Sequence, residues 1–307
     1  MTALVGVIGG MGPAATARFS TLLVERADVR RDQDHVRTLV LNDAALPDRT
    51  AFLLGRSPAS PAPGLAADAR VLQDAGCAFL ALPCNTAHAF AGAIRQAVSV
   101  PLVSMIDEAA ATCQALGLAR VGVLATEGTA AAGLYDHALA ARGMECAYPS
   151  PALQARVTAL IYEGVKAGAP VPSVAVALLC ARLAAEEGCA GVVLGCTELS
   201  CAWHAAETPG GVAVVDSLAA LADAVILRAG GRLRPGIATT RSARTSDAAG
   251  SAAAAARQNR AASAVAAPGS QGPATAAGDD ARVRPRADRN RASSSHPSRE
   301  EAPCAAS

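Results

Sequence analysis

The chain has 307 residues, 27 Lys and Arg against 26 Asp and Glu, and a formal net charge of +1. That near-balance is an average: residues 1–230 carry 15 basic and 20 acidic side chains, whereas residues 231–307 carry 12 and 6 and contain no Phe, Tyr or Trp. No uninterrupted apolar run reaches the ~18 residues of a membrane span. The nine cysteines form no Cys-x-x-Cys pair and no small-domain disulfide framework, so free thiols in a reducing cytoplasm are expected.

Leu4 to Ile8 reads as a buried first strand running into Gly9-Gly10, not as a secretory signal, because no basic n-region precedes it. Helical spacing follows Pro13 through about Arg30, and Thr38 to Leu41 is a second strand. Leu65 to Ala75 reads as a helix ended by Gly76; the strand Phe79 to Leu82 and a helix from about Thr86 to Val98 follow. Short apolar strands separated by longer helical segments predict parallel sheets covered on both faces. Ligands of such sheets bind at the carboxyl ends of the strands.

A domain boundary falls near Val100-Pro101, and the pattern then repeats. Val121 to Thr126 echoes Val5 to Gly10, and Val192 to Thr197 echoes Phe79 to Cys84. The offsets, 116 positions from Val7 to Val123 and 112 from Cys84 to Cys196, predict a duplicated half-domain. The expected fold is α/β: two similar open parallel-sheet domains, residues 1–100 and 101–215, related by a pseudo-twofold axis with the site in the cleft between them. Residues 231–307, poor in large apolar side chains, cannot offset the entropy of ordering and are expected to be a disordered Ala/Arg/Ser/Pro-rich tail.

In that arrangement Cys84 and Cys196 become opposite walls of one cleft. Two flanking thiols suit inversion at an α-carbon: one sulfur removes the proton, the other delivers one to the opposite face, and the roles exchange for the other enantiomer. Each cysteine precedes a helical segment, beginning near Thr86 and near Glu198, whose exposed N–H groups are expected to favour thiolate and to hold a carboxylate. Other patterns are weaker. Gly6-x-x-Gly9-Gly10-x-Gly12 is not a dinucleotide loop. His88, four residues after Cys84, is placed to pair with it across a helical turn. The spacing of Cys189, Cys196, Cys201 and His204 matches no strong zinc pattern. Arginines such as Arg282, Arg284 and Arg286 lack the interleaved aromatics of a base-stacking surface, so no specific nucleic-acid partner is expected.

Gly9-Gly10-Met11-Gly12-Pro13-Ala14-Ala15-Thr16, Pro83-Cys84-Asn85-Thr86-Ala87-His88 and Gly195-Cys196-Thr197-Glu198-Leu199 together resemble the three signatures of the aspartate/glutamate racemase superfamily, in its aspartate racemase branch, over roughly residues 4–228. Glutamate racemases of cell-wall synthesis instead open with Asp-Ser-Gly and carry His after their second Cys-Thr. The resemblance implies racemisation of an acidic amino acid with neither cofactor nor metal, with Cys84 and Cys196 as the two bases. By the same resemblance Asn85, Thr86 and Thr197 hold the α-carboxylate and amino groups, Thr126 joins them from Ala125-Thr126-Glu127-Gly128-Thr129, and Met11 lines the pocket.

Arg49, in Leu46-Pro47-Asp48-Arg49, and Lys166 match the cations for a distal carboxylate. Lys166 is also the only lysine, the other 26 cationic positions being arginine, which suits a role for a compact ammonium. A helix around residues 216–228 completing the first domain and a homodimer are implied as well. Hydantoin racemase, maleate isomerase, arylmalonate decarboxylase, a glutamate or broad-specificity racemase and a noncatalytic amino-acid-binding module are the alternatives. Two intact cysteines argue against single-thiol decarboxylation, and Arg49 with Lys166 argues for a dicarboxylic substrate.

Overall fold

Strand β1 (Leu4–Gly9) is buried from Val5 onward and forms the centre of a four-stranded sheet in a computed structural model that describes residues 2–203 and 209–236. Expectations for His204 and for residues 237–307 lie outside the described residues. β2 (Arg37–Asn42), β3 (Phe79–Ala81) and β4 (Leu102–Val103) complete this sheet in the order β2-β1-β3-β4, every pairing parallel. Helices α1 (Pro13–Arg26), α2 (Arg49–Leu53), α3 (Ala62–Asp74) and α4 (Ala91–Ala97) supply the crossovers. The first sheet takes its last strand from beyond the boundary expected at residue 100.

The second sheet repeats this plan. β5 (Arg120–Ala125), β6 (Glu145–Ala147), β7 (Gly191–Gly195) and β8 (Ala213–Asp216) run in the order β6-β5-β7-β8. α5 (Met105–Ala115) leads from the first sheet into β5; α6 (Glu127–Ala131), α7 (Leu134–Ala140), α8 (Pro151–Ala159), α9 (Ser173–Glu187) and α10 (Thr197–Ala202) lie between the strands of the second, and α11 (Ser217–Arg228) follows. Register repeats as well as order: Val7 is partnered by Ala81 in the first sheet and Val123 by Val193 in the second. Cys84 and Cys196 each lie three positions beyond those partners, so the two thiols sit at equivalent strand exits.

Both faces of each sheet are covered, which accounts for strands that read as continuous apolar runs. Val5, Val7, Phe79 and Ala81 pack with α1 and α11 on one face, while Ile8, Leu80 and Leu82 pack with α3 and α4 on the other. In the second sheet Val121, Val123 and Val193 face α5 and α7, and Leu124, Val192 and Leu194 face α8, α9 and α10. Among the described residues no helix is long and apolar enough to cross a membrane. The eight cysteines within them are free thiols.

Three local expectations need correction. α1 stops at Arg26 and not near Arg30, because Ala27 turns extended and bridges Leu233; the Asp28 N–H donates to Arg232 O at 2.8 Å and the Arg234 N–H to Arg26 O at 2.8 Å. The same pairing ties residues 232–234, within the stretch expected to be disordered tail, to the folded body. The helix expected over Thr86 to Val98 divides into a 3₁₀ turn, Thr86–Phe90, and α4. There the His88 N–H donates to Asn85 O at 3.0 Å, and its ring Nδ1 occupies the Cys84 carbonyl at 2.8 Å, the acceptor that an α-helical His88 N–H would have used.

Candidate active site

The site is assembled from loops at the carboxyl ends of the strands. After β1, Gly10 has φ +94°, and a Cβ there would lie 2.2 Å from the Asp43 carbonyl oxygen, so only glycine fits. Its N–H donates to Thr16 Oγ1 at 2.9 Å, and this turn delivers Met11 to the cleft. Asp48 caps α2 by accepting the Ala51 N–H at 2.7 Å, which fixes Arg49 at the first helical position. β3 leads to Cys84, Asn85 and Thr86, and β5 leads to Thr126, the N-cap of α6. A π-helical turn, Leu160–Val165, extends α8 and ends at Lys166. β7 leads to Cys196, the N-cap residue of α10, then Thr197 and Glu198.

These loops line one shared cleft. All nine residues singled out from the sequence line it: Met11, Arg49, Cys84, Asn85, Thr86, Thr126, Lys166, Cys196 and Thr197. The cleft also contains Asp48, Thr50, Tyr162 and Glu198, to which the sequence reading assigned no role. Glu198 carried the clearest missed signal, since it stands two residues from Cys196 within a quoted motif.

Hydroxyl groups from both halves meet in the cleft wall. Thr86 Oγ1 lies 3.0 Å from Thr126 Oγ1 and 2.8 Å from Thr129 Oγ1, and Thr50 Oγ1 donates to Thr126 Oγ1 at 3.3 Å. Gly128 permits this approach of α6 to α2, because a Cβ there would lie 2.8 Å from Thr50 Cα. Asn85 also spans the halves: its Oδ1 accepts from the Tyr135 hydroxyl at 2.6 Å and its Nδ2 donates to Ser217 Oγ at 3.1 Å. One Asn85 amide proton remains for a ligand.

Glu198, only 5% exposed, links the charged and sulfur groups. Its Oε1 pairs with Lys166 Nζ at 2.7 Å; its Oε2 accepts from Cys196 Sγ at 3.0 Å and from Thr197 Oγ1 at 3.4 Å. Burial, followed by the Glu198 carboxylate, pushes the Cys196 thiol well above its ordinary pKa. This corrects the expectation that a helix N-terminus favours thiolate at Cys196: desolvation and an adjacent negative charge outweigh the backbone donors. Burial acts to lower the Lys166 pKa, but Glu198 more than compensates and the ammonium lies above its ordinary value.

Arg49 lacks such a partner: its Nη1 donates to the carbonyls of Leu46 and Pro47 at 3.3 and 3.1 Å, and no carboxylate pairs with it among the described residues. The His88 ring hydrogen-bonds the carbonyl of Cys84. Its Nε2 accepts the Met105 N–H at 3.0 Å, so Nδ1 carries the proton donated to Cys84 O. Burial pulls its pKa down to about 4; a neutral His88 pins the Cys84 loop to the start of α5. Among the described residues, no group of three or more His, Cys, Asp or Glu is placed to hold a metal ion.

Two parallel-sheet α/β halves of the same strand order each present a buried cysteine to one shared cleft. A model of the family described as Asp/Glu/Hydantoin racemase matches residues 8–225, and the chain belongs to this family. An aspartate racemase of Picrophilus torridus is 28% identical, with 76% of this chain and 96% of that chain covered and a TM-score of 0.64. An aspartate racemase homologue from Pyrococcus horikoshii OT3, 24% identical over 75% of this chain and 100% of that one, shares the fold at a TM-score of 0.62. The broad specificity amino-acid racemase RacX of Bacillus subtilis is 28% identical over 148 residues. That match covers 46% of this chain and 63%, less than two thirds, of the relative.

Proposed function

We propose that this protein racemises an acidic amino acid, L-aspartate to D-aspartate foremost, without a cofactor, through Cys84 and Cys196. One observation carries the reading: thiols from equivalent strand exits of the two halves line one cleft together with Arg49 and Lys166. One sulfur, as thiolate, takes the α-proton; the other, as thiol, returns a proton to the opposite face. The Thr86, Thr126 and Thr197 hydroxyls and the remaining Asn85 N–H hold the α-carboxylate and amino group, and Arg49 with Lys166 takes the distal carboxylate. Fixed donors aimed at the α-carboxylate stabilise the charge that delocalises onto it as the proton leaves.

A broader amino-acid range is the second reading, favoured by the Lys166–Glu198 pair, which leaves Arg49 as the cation held only by backbone carbonyls. Assembly as a homodimer in the cytoplasm belongs to the same proposal and is checked by light scattering and fractionation. The deciding experiment incubates chelator-treated protein, free of pyridoxal phosphate, in D₂O with L-aspartate or L-glutamate and follows the products by proton NMR and chiral chromatography. Deuterium at the α-carbon together with the D-enantiomer, both lost in Cys84→Ser and in Cys196→Ser, is expected. Folded protein that exchanges neither amino acid refutes the reading and leaves ligand binding without turnover, or the hydantoin and maleate reactions.

A further inference from the structure

A carboxylate beside a catalytic thiol opposes thiolate formation unless it can take the thiol's proton. Glu198 is placed to do so, since its Oε2 lies 3.0 Å from Cys196 Sγ while its Oε1 is held by Lys166 Nζ at 2.7 Å. Cys196 and Glu198 are each 5% exposed, so bulk water is a poor rival acceptor. The other groups around the carboxylate are the Thr197 hydroxyl and, on the next turn of α10, the Cys201 thiol, which senses the Glu198 charge. Asp48, Arg49, Cys84 and Tyr162 share the cleft.

We propose that Glu198 is the internal base that charges Cys196, and that a carboxylate of the bound substrate triggers the transfer by drawing Lys166 away from Oε1. The inference rests on the racemase reading above and adds the origin of the thiolate and a reason for acidic substrates. A carboxylate relieved of an adjacent cation holds a proton more tightly. Lys166 is in direct contact with Glu198 and acts on Cys196 more weakly, so its withdrawal favours the oxygen over the sulfur. In the step, the Cys196 S–H bond breaks, an O–H bond forms on Oε2, and the electron pair stays on sulfur. The site keeps its net charge. Cys196 thiolate then takes the α-proton and Cys84 gives its proton to the opposite face, leaving the negative charge on Cys84; once product leaves and Lys166 returns to Oε1, Glu198 releases its proton and Cys84 takes one from solvent, which resets the site.

The test uses the full chain and succinate, which has two carboxylates and no α-amino group, with butyrate as the single-carboxylate control. Succinate is expected to raise the ultraviolet thiolate absorbance of the protein, and butyrate to leave it unchanged. The rise is lost in Cys196→Ser and in Glu198→Gln. In turnover, α-hydrogen exchange of aspartate is expected to be nearly flat around neutral pH in the unsubstituted protein. In Glu198→Gln it is slower and climbs roughly tenfold per pH unit, because the thiol must then lose its proton to solvent; Glu198→Asp restores part of the flat profile.

If Glu198→Gln fails to fold, Lys166→Met carries the test from a partly exposed position, and its absorbance must be insensitive to succinate. Succinate that fails to bind, or binds by thermal shift without a thiolate signal, overturns the inference, as does a signal that persists in Glu198→Gln or remains succinate-dependent in Lys166→Met. The two readings separate cleanly. Exchange without a succinate-induced thiolate removes the Glu198 relay and keeps the racemase; a succinate-induced thiolate in a protein that exchanges no amino acid does the reverse.

Discussion

Replacing Asn85 with alanine tests whether the two halves are tied through the site itself. Asn85, Tyr135 and Ser217 are all buried, and the substitution removes the Tyr135 hydroxyl's bond to Oδ1 at 2.6 Å and the Nδ2 bond to Ser217 Oγ at 3.1 Å. Ser217 keeps its donation to Leu194 O at 2.6 Å, so the Tyr135 hydroxyl suffers the greater loss. Two net hydrogen bonds at about 0.5–1.5 kcal/mol each, plus part of the roughly 1–3 kcal/mol cost of an unsatisfied buried group, give about 2–4 kcal/mol. For a folded body of this size that lowers Tm by roughly 5–12 °C. Denaturant unfolding of Asn85→Ala, Tyr135→Phe and the double variant isolates the coupling. With the hydroxyl already absent, Asn85→Ala should cost only about 0.5–1.5 kcal/mol. An equal cost in both backgrounds would refute the bridge.

Because the two enantiomers have equal free energy, a racemase must show equal kcat/KM in both directions. Cys84→Ser and Cys196→Ser should therefore depress kcat/KM from L- and from D-aspartate by the same factor while the individual kcat values diverge; progress curves from each enantiomer check this. Gly128→Val drives a side chain into Thr50, whose Cα lies 2.8 Å from the added Cβ. It should cost about 1–3 kcal/mol of stability and most of the turnover, whereas Arg56→Ala, which breaks only the exposed pair with Glu127 at 3.0 Å, should change stability by less than about 1 kcal/mol. Burial lowers His88 from 6.5 to about 4, so the unfolded chain binds the extra proton: stability present above pH 6.5 is lost as pH falls through 4, by up to about 3 kcal/mol. His88→Asn should flatten that acid limb in pH-dependent urea unfolding. Asp68 acts with the opposite sign: burial, then Asp43, raises it from 3.8 to about 6, its Oδ2 has no hydrogen-bond partner, and its stabilising protonated form is lost as pH rises through 6. Asp68→Asn should therefore gain stability above about pH 6 relative to the unsubstituted protein; no gain there would show that the carboxylate is solvated.

What could be read directly from the chain was whatever is local. Apolar runs such as Val5 to Ile8 and Val192 to Leu194 announce buried parallel strands, and the cysteines follow them within a few residues, so both strand exits and their equivalence were legible. The end of α1 was not, because it is set by Leu233 pairing with Ala27, two positions far apart in sequence that no helical periodicity connects. The break after Thr86 was hidden for a different reason: a histidine ring substitutes for a backbone donor at the Cys84 carbonyl, and a helical pattern does not record which of two donors wins. The protonation of Cys196 was misjudged because the helix N-terminus is a sequence-adjacent feature, whereas the Lys166 that orients Glu198 arrives from a π-turn in another element.

The lone lysine shows where composition and geometry meet. A chain that meets its other cationic needs with arginine places an ammonium at 166, and the structure gives that choice a physical reason. An ammonium is a point donor; at 2.7 Å it engages Oε1 of Glu198 and leaves Oε2 to Cys196. A guanidinium presents a planar fork that grips both oxygens of a carboxylate at once, and at this position it would take Oε2 from the thiol. Arg49 faces no such constraint, since backbone carbonyls hold one end of its fork and its remaining donors suit a carboxylate brought by a ligand. The two cations of the cleft are therefore not interchangeable: the arginine is anchored by backbone carbonyls alone, and the lysine shares one of the protein's own carboxylates with a sulfur.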